Sequence, residues 1–123
     1  MVKRVLVVED NPLNMKLVRT LLQLEGYEVL EASTGEEAVS AAVEGLPDLI
    51  LMDVQLPGID GLQACMCLKG DPRTSTIPVV ALTSYAMPGD DKKALEAGCA
   101  GYITKPIDTE SFPHQIARFL SPE

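Results

Sequence analysis

The chain has 123 residues, of which 46% are hydrophobic and 23% are charged. This composition is that of one ordinary globular domain and excludes a disordered chain. The 10 basic and 18 acidic residues give a net charge of −8. A charge of this sign disfavours contact with nucleic acid and favours a cation or a basic partner.

The apolar runs and the cysteines indicate where in the cell the protein acts. The longest apolar runs have about four residues, far short of the ~20 that cross a membrane. The basic N-terminus precedes an apolar run too short for a signal peptide, and the three cysteines show no disulfide spacing. We expect a cytoplasmic protein that contacts no membrane.

Five short apolar runs alternate with stretches of helical character. The predicted strands are Val5–Val8, Val29–Ala32, Leu49–Met52, Val79–Leu82 and Tyr102–Thr104. This alternation predicts an α/β domain with a parallel sheet. The first, third and fourth runs are continuously apolar, as central strands should be, whereas the second and fifth suit the edges. An order of 2-1-3-4-5 fits, with its switch point between strands one and three.

Residues that begin and end helices support this count. Asn11 before Pro12 predicts an N-cap followed by the first helical position. Thr34 and Glu37 fit a capping box at the second helix. The glycines predicted to end the first four helices are Gly26, Gly45, Gly70 and Gly98.

The fifth predicted helix contains Pro113. A cap at Asp108 would place this proline in the second turn, where it removes a hydrogen bond, so a start at Ser111–Phe112 is favoured. His114, the single histidine, is expected on the helix surface. The phenylalanines of this helix are expected in the core.

Polar side chains follow four of the predicted strands. Glu9 and Asp10 follow the first strand, Asp53 the third, Thr83 the fourth and Lys105 the fifth. In open α/β sheets ligands bind outside the carboxyl ends of the strands, at the switch point. We expect one cleft that holds three carboxylates, a hydroxyl and an ammonium.

Three gathered carboxylates repel one another unless a cation neutralises them. Carboxylate and water oxygens suit Mg²⁺, which takes further ligands from a phosphate. The cleft is therefore predicted to hold a phosphoryl group beside Mg²⁺, with Asp53 as the nucleophile and the Glu9-Asp10 pair at the metal.

Short motifs in this order resemble the receiver domain of two-component response regulators over essentially the whole chain. They are Glu9-Asp10-Asn11, Leu51-Met52-Asp53 with Leu56-Pro57-Gly58 and Asp60-Gly61, Ala81-Leu82-Thr83-Ser84, and Tyr102-Ile103-Thr104-Lys105-Pro106. The resemblance implies a flavodoxin-like (βα)5 three-layer sandwich. It also implies one receiver domain over residues 1–123, without an output domain.

The resemblance assigns roles to matching positions. Asp53 would accept a phosphoryl group from a histidine kinase or phosphotransfer protein. Asp10, Asp53 and the main-chain carbonyl of Gln55 would bind Mg²⁺, or Mn²⁺ in its place, and Glu9 would act largely through the metal's waters. Lys105 would pair with the phosphoryl oxygens, and the Lys105–Pro106 bond would be cis.

The family also implies a conformational switch. Thr83 would move toward the phosphoryl group and Tyr102 would turn inward behind it. The fourth helix, fifth strand and fifth helix would then present a changed surface to a downstream protein. Ser84 departs from the very small residue usual there, and Gln55 and Tyr85 lie where the family tunes dephosphorylation.

Within the family, three features are similar to stand-alone regulators of the DivK type: the stretch Asp10-Asn11-Pro12-Leu13-Asn14-Met15-Lys16-Leu17, the stretch Met87-Pro88-Gly89-Asp90, and the expected absence of an output domain. Such a protein is not an enzyme beyond its own Mg²⁺-assisted phosphorylation and dephosphorylation. A receiver excised from a hybrid kinase is the first alternative. A Mg²⁺-dependent phosphohydrolase with an aspartyl nucleophile and a flavin electron carrier are less favoured, because the loop after the first strand lacks their motifs.

The cysteines are expected to be structural. Cys65 and Cys67 are two residues apart on a helix, so they point to opposite sides. At least one of them is expected to be a buried small hydrophobe, and Cys99 to pack beside the glycine that ends the fourth helix.

Overall fold

The computed structural model describes residues 2–54, 56, 61–83 and 95–120. Its strands are β1 (Arg4–Val8), β2 (Glu28–Ala32), β3 (Leu49–Asp53), β4 (Val79–Thr83) and β5 (Gly101–Thr104). Its helices are α1 (Pro12–Leu24), α2 (Gly35–Gly45), α3 (Gly61–Gly70) and a C-terminal helix (Phe112–Leu120). Most of the fourth predicted helix lies outside the described residues.

The five strands form one parallel sheet in the order β2-β1-β3-β4-β5, which confirms the predicted order. Every residue of β3 and β4 is buried, whereas β2 at one edge is mostly exposed or half-buried. The hydropathy of each run therefore predicted its position, because central strands of a parallel sheet are covered on both faces.

Two apolar layers cover the sheet, one on each face. One layer contains β-strand residues such as Leu6 and Ile50 with Ala38 of α2 and Leu68 of α3. The other layer packs alternate strand residues against Val18 and Leu22 of α1 and against the C-terminal helix. The result is the expected three-layer sandwich. No helix within the described ranges is long and apolar enough to cross a bilayer.

The predicted helix starts are confirmed. The Asn11 side chain accepts hydrogen bonds from the N–H groups of Leu13 and Asn14, at 2.9 and 3.2 Å. Pro12 takes the first helical position of α1. The Thr34 hydroxyl accepts the N–H of Glu37 at 3.0 Å, which caps α2.

The end of α2 and the start of the C-terminal helix show how single residues set helix boundaries. Gly45 is the last residue of α2, but the left-handed residue that follows is Leu46, with φ 43°. A β-carbon at Gly45 would lie 2.7 Å from Leu30 Cδ1, so this glycine allows close packing on β2 rather than the turn. The C-terminal helix begins at Phe112, so Pro113 falls in its first turn as predicted.

Candidate functional site

The carboxyl ends of β1, β3 and β5 bring acidic and basic side chains to one edge of the sheet. Glu9 follows β1 and is held by its N–H, which donates to the Ala32 carbonyl at 3.0 Å. Asp53 is the last residue of β3. Lys105 follows β5, and its N–H donates to the Thr83 carbonyl at 2.7 Å. Parallel pairing therefore sets the position of each side chain.

Three carboxylates cluster at this edge. Glu9, Asp10 and Asp53 each place an oxygen within 4.8 Å of the others. Glu9 and Asp53 are buried, whereas Asp10 is exposed. The cluster therefore has two acids at its floor and one at its rim, open to solvent.

Lys105 bridges the two buried acids. Its Nζ donates to Glu9 Oε1 and to Asp53 Oδ2, both at 2.7 Å. The side chains of Glu9 and Asp53 are 1% and 5% exposed, and that of Lys105 is 14% exposed. These are short charge-assisted hydrogen bonds in a site of low solvent access.

Burial and charge act on the site in opposite directions. Burial raises the pKa of Glu9 above its usual value, and the neighbouring Asp53 adds to this, although hydrogen bonds from Lys105 and from the Asn11 N–H oppose it. Burial lowers the pKa of Lys105, but its hydrogen bonds to Asp53 and Glu9 outweigh this, so the net shift is upward. The site thus holds an ammonium firmly charged and a carboxylate that is costly to ionise.

The donor set fits a divalent cation. Three carboxylates and one ammonium leave the ionised cluster with two negative charges, which one dication balances. All the side-chain donors are oxygens, the type that Mg²⁺ prefers, and exposed Asp10 leaves room for metal-bound water. The main-chain carbonyl of Gln55, the remaining predicted ligand, lies outside the described residues.

Gly61, the first residue of α3, packs against the main chain of Asp53. A β-carbon at Gly61 would lie 2.1 Å from the Asp53 carbonyl oxygen and 2.8 Å from Val54 Cα. The Gly61 N–H donates to the Val54 carbonyl at 3.3 Å. The first turn of α3 therefore touches the end of β3, and only glycine allows this approach. The Asp60-Gly61 motif was the signal for this residue, which the sequence analysis gave no role.

The other predicted site residues lie nearby on β4 and β5. Thr83 is buried at the end of β4 and Tyr102 is 42% exposed on β5. Tyr102 pairs with Ala81, and Thr83 is two residues beyond Ala81, so the two side chains lie on the same face of the sheet. Ser84 and Tyr85 lie outside the described residues.

Three further predictions have clear outcomes. The Lys105–Pro106 peptide bond is cis, as the resemblance implied. His114 is exposed on the C-terminal helix and does not belong to the cluster formed by Glu9, Asp10 and Asp53. Cys65 and Cys99 are buried and Cys67 is exposed, so the expected split between Cys65 and Cys67 is confirmed.

Comparison with known proteins agrees with this geometry. The family model for the response regulator receiver domain matches residues 5–117. The chain belongs to the response regulator receiver family. This receiver is 47% identical, over 98% of both chains, to the polar-differentiation response regulator DivK of Brucella ovis.

Solved structures show the same fold. The receiver has a TM-score of 0.92 and 28% identity to the chemotaxis response regulator CheY4 of Vibrio cholerae, covering 98% of this chain and 100% of that one. It has a TM-score of 0.89 and 32% identity to the receiver domain of the sensor histidine kinase PA1611 of Pseudomonas aeruginosa, covering 98% of each. That domain was crystallised with a magnesium ion in its active-site cleft. The acidic cluster of this receiver is compatible with the same use.

Proposed function

We propose that Asp53 accepts a phosphoryl group from the phosphohistidine of a sensor histidine kinase or phosphotransfer protein, and that this controls a protein–protein contact. The observation that carries the proposal is the arrangement of Asp53 with Glu9, Asp10 and Lys105 at the switch point of the sheet. Phosphoryl transfer needs positioning and charge neutralisation more than proton chemistry, and this cluster supplies both.

Each residue has a part in the transfer. An Asp53 carboxylate oxygen forms the new bond to phosphorus while the bond from phosphorus to the donor imidazole breaks, and the imidazole leaves. The Lys105 ammonium, which donates hydrogen bonds to Asp53 and Glu9 in this structure, moves to bond a phosphoryl oxygen. Mg²⁺, or Mn²⁺ in its place, would be held by Asp10 and Asp53, with Glu9 acting through metal-bound water, and would neutralise charge on the phosphoryl oxygens.

The proposed switch follows from the sheet. Thr83 lies one strand away from Asp53, in the strand that pairs with β3, and offers its hydroxyl to the phosphoryl group. Tyr102 lies on the same face and is partly exposed beside Gln115, Arg118 and Phe119 of the C-terminal helix. Movement of Thr83 toward the site opens space into which Tyr102 turns. The surface formed by β5, the C-terminal helix and the fourth predicted helix then changes.

The remaining expectations belong to this proposal. We infer a stand-alone regulator with one receiver domain over residues 1–123, which acts in the cytoplasm by contact with a downstream protein. Its chemistry is its own phosphorylation and dephosphorylation, without turnover of a separate substrate. Support comes from the DivK relative, of which the alignment covers 98%.

Acetyl phosphate provides a test without the cognate kinase. The protein is incubated with acetyl phosphate and Mg²⁺, and its intact mass is measured with and without EDTA. We expect one added phosphoryl group in Mg²⁺ and a large decrease in EDTA. The variant Asp53→Asn should gain none, because an amide oxygen is a poor nucleophile.

The matched control is Asp71→Asn, the same substitution at a half-buried acid that pairs with Arg73 and does not belong to the acidic cluster. This variant should be phosphorylated like the wild type. Modification of Asp53→Asn to the wild-type extent would exclude Asp53 as the acceptor. Continued release of phosphate far beyond one equivalent would favour the phosphohydrolase alternative.

A further inference from the structure

Two buried cysteines meet away from the acidic cluster. Cys65 of α3 and Cys99, which precedes β5, place their Sγ atoms 3.4 Å apart. Cys65 is 0% exposed and Cys99 is 5% exposed. The Cys65 thiol also lies 3.4 Å from the Ala97 carbonyl. The two sulfurs are thus in direct contact inside the layer between the sheet and α2 and α3.

The pair lies at the opposite end of the sheet from Asp53. The N–H of Ala100, next to Cys99, donates to the carbonyl of Val79 at 2.7 Å, and Val79 is the first residue of β4. Thr83, at the acidic edge, is the last residue of that strand. Chemistry at the cysteines therefore need not disturb the carboxylates or Lys105.

We propose that Cys65 and Cys99 form a reversible disulfide when the protein meets a hydroperoxide. To bond, the sulfurs must approach by about 1.4 Å, since a disulfide is ~2.05 Å long. Rotation about the Cα–Cβ bonds of the two cysteines can supply much of this decrease in distance, because the two sulfurs are already in contact. The third cysteine, Cys67, is exposed on the other side of α3 and takes no part.

The reaction balances with a hydroperoxide as the two-electron oxidant. The Cys65 thiolate attacks a peroxide oxygen and the O–O bond breaks; with hydrogen peroxide the products are a sulfenic acid and hydroxide, and the hydroxide becomes water by taking up the proton that the Cys65 thiol released. The Cys99 sulfur attacks the sulfenic sulfur, the S–S bond forms, the S–O bond breaks, and the Cys99 proton leaves with the hydroxide as a second water. Each cysteine loses one electron, and a dithiol reductant reverses the change.

The surroundings favour Cys65 as the attacking group. The hydrogen bond from Cys99 lowers the pKa of Cys65, and the charge of Lys69 acts in the same direction, although burial opposes both. The pKa of Cys99 is raised, first by its hydrogen bond to Cys65 and then by burial. The Cys99 thiol donates the hydrogen bond between the two sulfurs, so it carries the proton while the Cys65 sulfur accepts, which is the order that the reaction requires.

A disulfide here would connect residues 34 positions apart in sequence. The closed loop contains all of β4, so the bond restricts the unfolded chain and stabilises the fold. We expect the oxidised protein to melt at least about 5 °C above the reduced protein. Because the acidic cluster is remote, phosphorylation by acetyl phosphate should be retained.

The test uses the Cys67→Ser variant, in which the exposed cysteine cannot form links between molecules. The protein is treated with hydrogen peroxide, unfolded and alkylated, and then digested without reductant. We expect loss of both alkylation sites, a linked peptide that contains Cys65 and Cys99, and full recovery of both thiols after dithiothreitol. The melting temperature should rise on oxidation and fall back on reduction.

The control combines Cys67→Ser with Cys99→Ala, which removes the resolving sulfur and keeps a small apolar side chain. This variant should form no linked peptide and should not gain thermal stability. The proposal is overturned if Cys65 and Cys99 both remain alkylatable under conditions that oxidise a free cysteine peptide. Stepwise oxidation to sulfinic acid without a linked peptide would also overturn it.

Discussion

The variant Lys105→Met tests the electrostatic balance of the site. It keeps the length and apolar stem of the side chain but removes the ammonium that contacts Glu9 and Asp53 at 2.7 Å. Because both carboxylates are buried, they would face each other without compensation. Lys3→Met, which changes an exposed lysine, is the matched control.

The magnitude follows from burial. Deleting one partner of a buried ion pair costs about 3–5 kcal/mol of unfolding free energy. We expect about 3 kcal/mol at neutral pH, the lower end of that range, because Glu9 can relieve part of the repulsion by taking up a proton. This corresponds to a melting temperature lower by about 10 °C.

Urea unfolding in EDTA at pH 7, followed by far-UV circular dichroism, measures the difference. Mg²⁺ should then raise the melting temperature of Lys105→Met more than that of the wild type, because the dication replaces the missing positive charge. A variant within about 1 kcal/mol of the wild type in EDTA would refute the reasoning, since it would mean that the buried acids do not need Lys105.

Two further predictions concern backbone contact and pH. Gly61→Ala should lower the unfolding free energy by about 3 kcal/mol and slow phosphorylation, because its β-carbon would overlap the main chain of Asp53. The control is Gly70→Ala, which has open space around it and should be neutral or stabilising. Equal stability of the two variants would contradict this prediction. The pKa of Glu9 is raised in the folded protein above its usual value of 4.5. The stability that this shift contributes is therefore fully present below pH 4.5 and is lost as the pH rises through the pKa of the folded state. Glu9→Gln should therefore reduce the loss of metal-free stability between pH 5 and pH 7, measured by thermal melting. Glu36→Gln, at an exposed acid of α2, should leave that loss unchanged.

The fold was predictable because its signals are local or compositional. Continuous apolar runs separated β3 and β4 from the mixed edge strand β2, and capping residues placed the helix starts. Polar residues at strand ends predicted the acidic cluster, because parallel strands present all their carboxyl ends at one edge. The family's roles for those residues came from the resemblance.

Contacts between distant segments could not be predicted in this way. The meeting of Cys65 and Cys99 depends on how α3 packs against the chain before β5, and their spacing carries no signal for it. The approach of Gly61 to Asp53 and of Gly45 to Leu30 likewise depends on distances between elements. Left-handed Leu46 shows the same limit, because a glycine beside it was the expected position for the turn.

The most direct test of the central claim is to locate the phosphoryl group on the wild-type chain. The protein is phosphorylated with acetyl phosphate and Mg²⁺, digested under conditions that preserve acyl phosphates, and sequenced by tandem mass spectrometry. The account predicts modification at Asp53 and its loss when Mg²⁺ is removed. Modification at His114, at a serine or threonine, or at Asp10 in place of Asp53 would contradict it.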